Sequence, residues 1–284
     1  MLQANMALAR RIERAECRLV VDMAKSVARR CGQTDVLISE LAGGAAVFAG
    51  PGSPLNKWVG LGFGAPLEES RVAELEVEFA RRDTAPRVEL SAFADPSIAA
   101  MLTRRGFQLV GHENVLALEL DAPLVDRVRS EQREIDGDIS ISKVAPEASR
   151  AWLDIVITGF LHPDGSAATP ATETFEREAL ERAFADTIEV KDFDMHLAQR
   201  AGVAAGGGGL RRLEGLAQLC GASTLPAHRP RGVQTALLRA RLLAAAQSGC
   251  DLAIVTTEPD SKSQRNVEAR GFKLLYERSI LVRS

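Results

Sequence analysis

Arg229-Pro230-Arg231-Gly232 stands between a strand-like run and a helical one in the segment ASTLPAHRPRGVQTALLRA. A basic glycine turn at a helix start is suited to hold an anion. The first N–H groups of a helix have no acceptor within it, and the aligned peptide dipoles place roughly half a positive charge there. Arg229 and Arg231 add formal charge, and Gly232, lacking a Cβ, lets a ligand approach the backbone. Phosphate or pyrophosphate fits such a donor set. The turn is neither a Walker loop, which needs Gly-Lys-Ser/Thr, nor a GxGxxG dinucleotide fingerprint.

The elements that must position this turn are legible around it. MHLAQRAGVAAG predicts a hairpin turning at Arg200-Ala201-Gly202, and EGLAQLCGASTL predicts the next strand, with small residues near its end. A helix is expected from about Val233 to Ser248, its apolar side formed by Val233, Ala236, Leu237, Ala240, Leu243 and Ala244. Gly249 ends it, and the apolar run CDLAIVTTEP is expected to be a buried strand parallel to the earlier one. The glycine-dense AGVAAGGGGL suits a strand where another backbone or a ligand comes close.

Part of this grammar occurs twice. VELSAFADPSIAAMLTRRGFQLVGHENVLAL lies over AIVTTEPDSKSQRNVEARGFKLLYERSILV at one constant offset. Asp95 falls on Asp260, Arg105-Gly106-Phe107 on Arg270-Gly271-Phe272, Leu109 on Leu274 and Val115-Leu116 on Ile280-Leu281. Such a register points to duplication. The expected organisation is a first domain over 1–122, a polar linker over 123–137, and a second domain over 138–284. The same offset places Glu68 and Glu69 where Val233 and Gln234 stand, with no arginine before them. Carboxylates there suit the helix dipole but repel a pyrophosphate, so the first copy is expected to hold no cofactor.

The ordered set of strand, proline, basic glycine turn, helix, buried strand and Asn…Gly-Phe resembles the GCN5-related N-acetyltransferases, whose motif is written Arg/Gln-x-x-Gly-x-Gly/Ala. The resemblance covers the C-terminal half and the last third of the N-terminal half. It implies an α/β fold of two tandem domains, each a mostly antiparallel mixed sheet flanked by helices, with a central parallel pair split at the cofactor cleft. It implies acetyl-CoA as co-substrate and no metal. Backbone groups of Ser223, Thr224 and Leu225 would pair with the pantetheine arm. Arg229 and Arg231 with the amides of Gly232, Val233, Gln234, Thr235 and Ala236 would hold the pyrophosphate, and Ser263 or Asn266 would touch the pantetheine. Gln234 departs from the motif's small residue, and Val267 stands where the family often carries a tyrosine acid.

The implied activity is transfer of an acetyl group to an amine by direct attack in the C-terminal domain. The alternative is a non-catalytic acyl-CoA sensor or scaffold. Amide formation needs a neutral amine, hence a base or a water relay near the strand split. Glu214 is the candidate base, against a merely solvated glutamate. Tyr276, the only tyrosine, is the candidate acid, against an ordinary sheet contact. His196, His228 and Cys220 also admit chemical and packing readings. The run Gly159–Glu176 is taken as the loop over the acceptor, with His162, Asp164 and Glu173 as polar contacts.

The bulk properties narrow the class. The chain has 284 residues, 46% hydrophobic and 26% charged, with a net charge of −3. Balanced charge argues against a nucleic-acid surface, although AHRPRGVQTALLRARLL is locally basic. Scattered Cys17, Cys31, Cys220 and Cys250 with no CxxC argue for a cytoplasmic setting without disulfides or zinc. No apolar run reads as a signal peptide or a membrane span. The expected partner is a small-molecule or peptide amine, with a homodimer left open.

Overall fold

The computed structural model describes residues 2–31, 36–133, 137–162, 176–229 and 231–283. The first half runs α1 (Met6–Cys31), β1 (Leu37–Leu41), β2 (Gly44–Phe48), β3 (Lys57–Val59), α2 (Glu69–Ala80), β4 (Arg87–Ser91), α3 (Pro96–Arg104), β5 (Phe107–Glu119) and α4 (Ala122–Arg133). The second runs β6 (Ile139–Lys143), α5 (Ser149–Leu161), α6 (Arg177–Ile188), β7 (Phe193–Arg200), β8 (Val203–Leu213), β9 (Leu216–Thr224), α7 (Val233–Gln247), β10 (Leu252–Thr257), α8 (Lys262–Glu268) and β11 (Lys273–Arg283). No described helix is long and apolar enough to cross a membrane.

The duplicated segments form matching elements. Asp95 caps α3 by accepting from Ser97 N at 2.9 Å, with Pro96 in the first turn. Ser261 caps α8 by accepting from Gln264 N at 3.1 Å. Gly106 and Gly271 follow these helices at φ of +88° and +96°, the left-handed conformation that glycine adopts most readily.

All strands join one sheet, in the order β1-β2-β3-β4-β11-β5-β10-β9-β8-β7-β6. The halves therefore exchange their last strands. β5 of the first half pairs with β10 of the second, and β11 of the second pairs with β4 of the first. β5 and β11 also pair with each other along most of their lengths. Exchange keeps both long strands inside the sheet, whereas two separate sheets would leave open edges.

Helices α1, α5 and α6 cover one face. Ile12 and Ala15 of α1 pack on Val115, Leu216, Ile254 and Tyr276, while Leu19, Val20 and Met23 pack on Ala45, Val47 and Val59 of the first half. This one helix thus spans both halves, and each fully buried apolar side chain contributes roughly 1.5–3 kcal/mol. Helices α2, α3, α4, α7 and α8 cover the other face. The stretch expected as a polar linker is largely α4, a helix docked on the second half. Its Leu124 and Val128 are buried against Leu238 and Leu242, and Arg239 Nη2 reaches Glu131 at 2.5 Å. Two apolar residues one turn apart suffice to dock it.

Candidate active site

β9 and β10 are parallel and pair at Leu216–Leu252, Ala217–Ala253 and Gln218–Ile254. Beyond that point β9 continues to Thr224 and β10 to Thr257 with no ladder between them. A register break opposite Gly207–Gly209, with Gly221 at φ +58°, bends β9 away from its neighbour. The result is a wedge with one bare backbone edge. Polar atoms without a hydrogen-bond partner stand on both walls: Thr224 Oγ1 on β9, and Thr257 Oγ1 beside Asn114 Oδ1 on β10 and β5.

Arg229 braces the mouth. Its Nε donates to Thr224 O at 2.7 Å, Nη1 to His162 O at 2.7 Å and Nη2 to Gly159 O at 3.2 Å. These bonds tie β9 to the end of α5, so this guanidinium positions the turn. Leu225 is also committed: its N–H donates to Ala205 O at 2.9 Å, and its carbonyl accepts from His228 N. It cannot pair with an added strand, which leaves Ser223 and the N–H of Thr224, whose carbonyl Arg229 holds.

At the start of α7, Gly232 is left-handed at φ +79°, with no side-chain cap. Among the described residues, a Cβ built there would meet nothing nearer than Ile139 Cδ1 at 3.7 Å. Ala236 N donates to Gly232 O at 3.0 Å and is the first amide engaged in the helix. Ala236 therefore leaves the expected donor set. The amides ahead of it, at Gly232, Val233, Gln234 and Thr235, have no acceptor within the helix. Arg231 is exposed beside them. Gln234 Oε1 accepts from Asn266 Nδ2 at 2.6 Å, and Thr235 Oγ1 accepts from Arg270 Nη2 at 3.2 Å, locking α8 against the helix start. Ser263 is exposed on α8. A hollow of about 370 Å³ lies alongside, lined by Arg127, Arg239 and Arg270 among others. The arrangement can hold a phosphate-rich, amide-bearing chain.

The glycine run of β8 brings two helices close to the sheet. Cβ atoms built at Gly206 and Gly207 would fall 2.6 Å from Ser223 O and 2.7 Å from Val156 Cγ2. At Gly208 the obstacle is the Arg241 guanidinium at 3.0 Å. Arg241 is buried, donates from Nη1 to Gly209 O at 3.1 Å, and is lowered to about 10 by burial.

Most catalytic candidates are displaced from the wedge. Glu214 sits in the β8–β9 turn at φ +49°, paired with Arg14 at 3.2 Å. Nine residues of β9 separate it from the cofactor turn, about 30 Å at 3.3 Å per residue. It is not the base. Tyr276 lies on exchanged β11, across β5 from β10, 6% exposed, and its hydroxyl donates to Glu13 Oε1 at 2.8 Å. Burial and Glu13 raise its proton affinity further, so it is not poised as an acid. Burial, then Arg241, pushes His196 down to about 4, and it points under α7. Burial pushes the Cys220 thiol up to about 12, which disfavours a nucleophilic thiolate. His228 lies in the turn before Arg229. Pro230, Asp164 and Glu173 lie outside the described residues.

On the α1 face the wedge has neighbours that local sequence reading missed. Gln218, its last paired residue, donates from Nε2 to Glu16 Oε2 of α1 at 3.2 Å. Thr256 Oγ1 accepts from Arg278 Nη1 at 3.4 Å, and that nitrogen lies 3.6 Å from Glu113 Oε2 on β5. The repeat was the only signal for them, since Glu113 and Arg278 are equivalent positions within it.

The first half has the same path but no wedge. β3 and β4 pair at Trp58–Val88 and Val59–Glu89. Immediately beyond, Leu61, Leu67, Ala94 and Ile98 fill the space as core. A Cβ built at Gly62 would fall 2.8 Å from Ala94 Cβ, and one at Gly60 would fall 2.9 Å from Cys17 Cβ of α1. Glu69 pairs with Arg105 at 3.2 Å.

No protein-family description and no curated protein matches the sequence. Among solved structures, a GCN5-related N-acetyltransferase from Kribbella flavida superposes with a TM-score of 0.62 at 18% identity, covering 94% of this chain and 95% of that one. A tandem GNAT protein from the clavulanic acid biosynthesis pathway gives a TM-score of 0.60 at 14% identity, covering 92% and 86%. A GCN5-related N-acetyltransferase from Sphaerobacter thermophilus gives 0.54 at 16% identity, covering 85% and 77%.

Proposed function

We propose, from the tandem GCN5-related N-acetyltransferase fold that this chain has, that its second half, 138–284, binds acetyl-CoA and transfers the acetyl group to an amine. One observation carries the reading. A parallel strand pair opens directly ahead of an uncapped helix start with a left-handed glycine. In this reading the free amides of Gly232 to Thr235, with Arg231, hold the pyrophosphate of the substrate. The bare edge of β9 at Ser223 and Thr224 takes the amide-bearing arm, and the unpartnered Thr224, Thr257 and Asn114 atoms fit its polar groups. Arg127 and Arg270 line the hollow for its nucleotide end, beside Glu268 and the Arg239–Glu131 pair.

Anchoring both ends of the thioester makes attack effectively intramolecular. Arg229 contributes indirectly, by holding β9 and α5 at a fixed separation. Calorimetric titration with acetyl-CoA, followed by thiol release with a panel of primary amines, tests the reading. Micromolar binding at one site and amine-dependent CoA release are expected. No binding overturns it. A second reading, a sensor that binds without turnover, is favoured by the engaged hydroxyl of Tyr276 and by buried Val267 where a tyrosine acid is often found. Binding with no CoA release selects it.

A further inference from the structure

We infer, resting on that reading, that Phe184 of α6 is a positioning residue that props the wedge for the acetyl-CoA arm, and that α1 of the N-terminal half sets this prop through Arg30. The wedge depends on one irregularity. Between the pairs Gly207–Ser223 and Gly209–Cys220, β9 carries one residue more than β8, and Gly221 takes φ +58° there. A bulge re-aims the strand that carries it, and this one lies immediately before the bare edge at Ser223 and Thr224.

Bulged backbone has lost part of its ladder, so packing must fix its direction. Here the packing comes from two rings. A Cβ built at Gly221 would fall 2.9 Å from Phe184 Cε1 and 3.7 Å from Trp152 Cη2, so both rings lie against the bare Cα. Trp152 is fully buried and donates from Nε1 to His196 O at 3.0 Å, which holds it in place. Phe184 meets Trp152 edge-on with ring centroids 6.3 Å apart, and Phe160 flanks it at 5.5 Å. Edge-to-face contacts of this kind are directional, so Phe184 has one seat.

Helix α6 is not held by the second half alone. Asp186, 3% exposed, accepts from Arg30 Nη2 at 2.8 Å and from Arg30 Nε at 3.1 Å. Thr187 Oγ1 reaches Met23 Sδ at 3.6 Å, and Val190 packs with Leu19, Val20 and Met23 of α1. A two-bond guanidinium–carboxylate fork fixes distance and angle together. Without it, Asp186 would keep a buried charge with its partner gone, and α6 would shift towards water. Residues two apart on a helix point about 200° apart. Asp186 and Phe184 therefore grip α6 from opposite sides, one on α1 and the other on the bulge.

Contiguous packed groups thus join Arg30 to the arm's edge through Asp186, Phe184 and Gly221. Helix α1 acts on both openings in opposite senses. Its Cys17 presses on Gly60 beside the filled one, and its Arg30 holds the prop of the open one.

The test uses the full chain and calorimetric titration with acetyl-CoA. Phe184→Ala is expected to weaken binding about tenfold and Arg30→Gln about threefold, the scale of couplings carried through packed side chains. Phe184→Leu and Arg30→Lys, which keep an apolar prop and a cation, should each recover part of the loss. Because Arg30 acts through Phe184, the double variant should bind no more weakly than Phe184→Ala alone. Leu61→Ala, a core truncation in the first half, should keep wild-type affinity, which separates the prop from general loss of stability. Hydrogen exchange supplies a comparison that needs no ligand. The segment 216–225 should exchange faster in Phe184→Ala and Arg30→Gln than in the wild type or Leu61→Ala. Additive losses in the double variant, wild-type affinity in Phe184→Ala, equal losses in Leu61→Ala, or unchanged exchange overturn the inference. A wild type that binds no acetyl-CoA overturns the proposed function instead, and the exchange comparison then decides whether Phe184 and Arg30 hold the bulge.

Discussion

The two halves follow one chain path and differ in what occupies the space beyond their parallel strands. In the first, β3 and β4 diverge around Leu61, Leu67, Ala94 and Ile98, and α1 presses on Gly60 from the other face. In the second, β9 and β10 lose their pairing beyond Gln218 and Ile254, and unpartnered polar atoms stand at the gap. The helix starts differ in the same sense. Glu68 and Glu69 stand at the head of α2, where carboxylates stabilise the dipole and repel anions, whereas α7 begins bare behind Gly232. A strand wedge and a helix start become a binding site only when both are left unsatisfied. The first half satisfied both and became scaffold: it gives α1 to the shared core and β5 to the second half's sheet.

The largest effect follows from making the second half like the first. Gly232→Glu places a carboxylate in the turn and forces a left-handed glutamate. Repulsion of about 4 kcal/mol at 4 Å and an effective dielectric near 20 predicts acetyl-CoA binding weaker by about three orders of magnitude. Calorimetry checks this. The reverse change, Glu68→Ala with Glu69→Ala, is expected to leave one site per chain, because the first wedge stays filled. A second site there would break the comparison.

Emptying that filling is the next test. Leu61, 1% exposed, replaced by Ala should cost about 2–5 kcal/mol in denaturant unfolding and still create no acetyl-CoA site. The cavity would be apolar, whereas the second wedge presents bare backbone and hydroxyls.

Much of this contrast is legible in the sequence alone. The turn at Gly232, the helix after it, the buried parallel strand and the acidic replacement at Glu68-Glu69 are local patterns with local causes. Strand exchange is not legible there. β5 and β11 carry matching apolar patterns, since Val115-Leu116 repeats as Ile280-Leu281, and either strand fits either half. Pairing partners depend on the whole sheet. Everything that depends on exchange is therefore hidden, including the pairing of Glu113 with Arg278 and the capture of Tyr276 by Glu13. Arg229 is ambiguous for another reason. An arginine in a phosphate-type turn has the same sequence whether it faces a ligand or three carbonyls.

Acid should act on the second half more than the first. His196 is buried beneath α7 and is held down to about 4, below an unfolded value near 6.5. Its folded pKa is depressed, so the unfolded chain binds the extra proton and stability falls as pH drops from about 6.5 towards 4. The loss should approach 1.4 kcal/mol per unit within that window. His196→Gln should flatten this part of the profile, with thermal unfolding between pH 7 and 4 as the measurement. An unchanged slope would place the acid-sensitive group elsewhere.

The smallest expected effect concerns what the halves share. Gly106 and Gly271 end equivalent helices in left-handed geometry, and each begins an exchanged strand. A Cβ at Gly106 meets nothing within 4 Å, and one at Gly271 meets only Leu118 Cδ1 at 3.5 Å, an ordinary contact. Neither substitution to alanine adds a clash, so each should cost only the backbone penalty of about 1–2 kcal/mol. Because β5 and β11 lie side by side in one sheet, both variants should unfold in one transition with similar losses in a urea titration. A loss confined to one variant, or a biphasic curve in either, would mean that the exchanged strands do not bind the halves into a single cooperative unit.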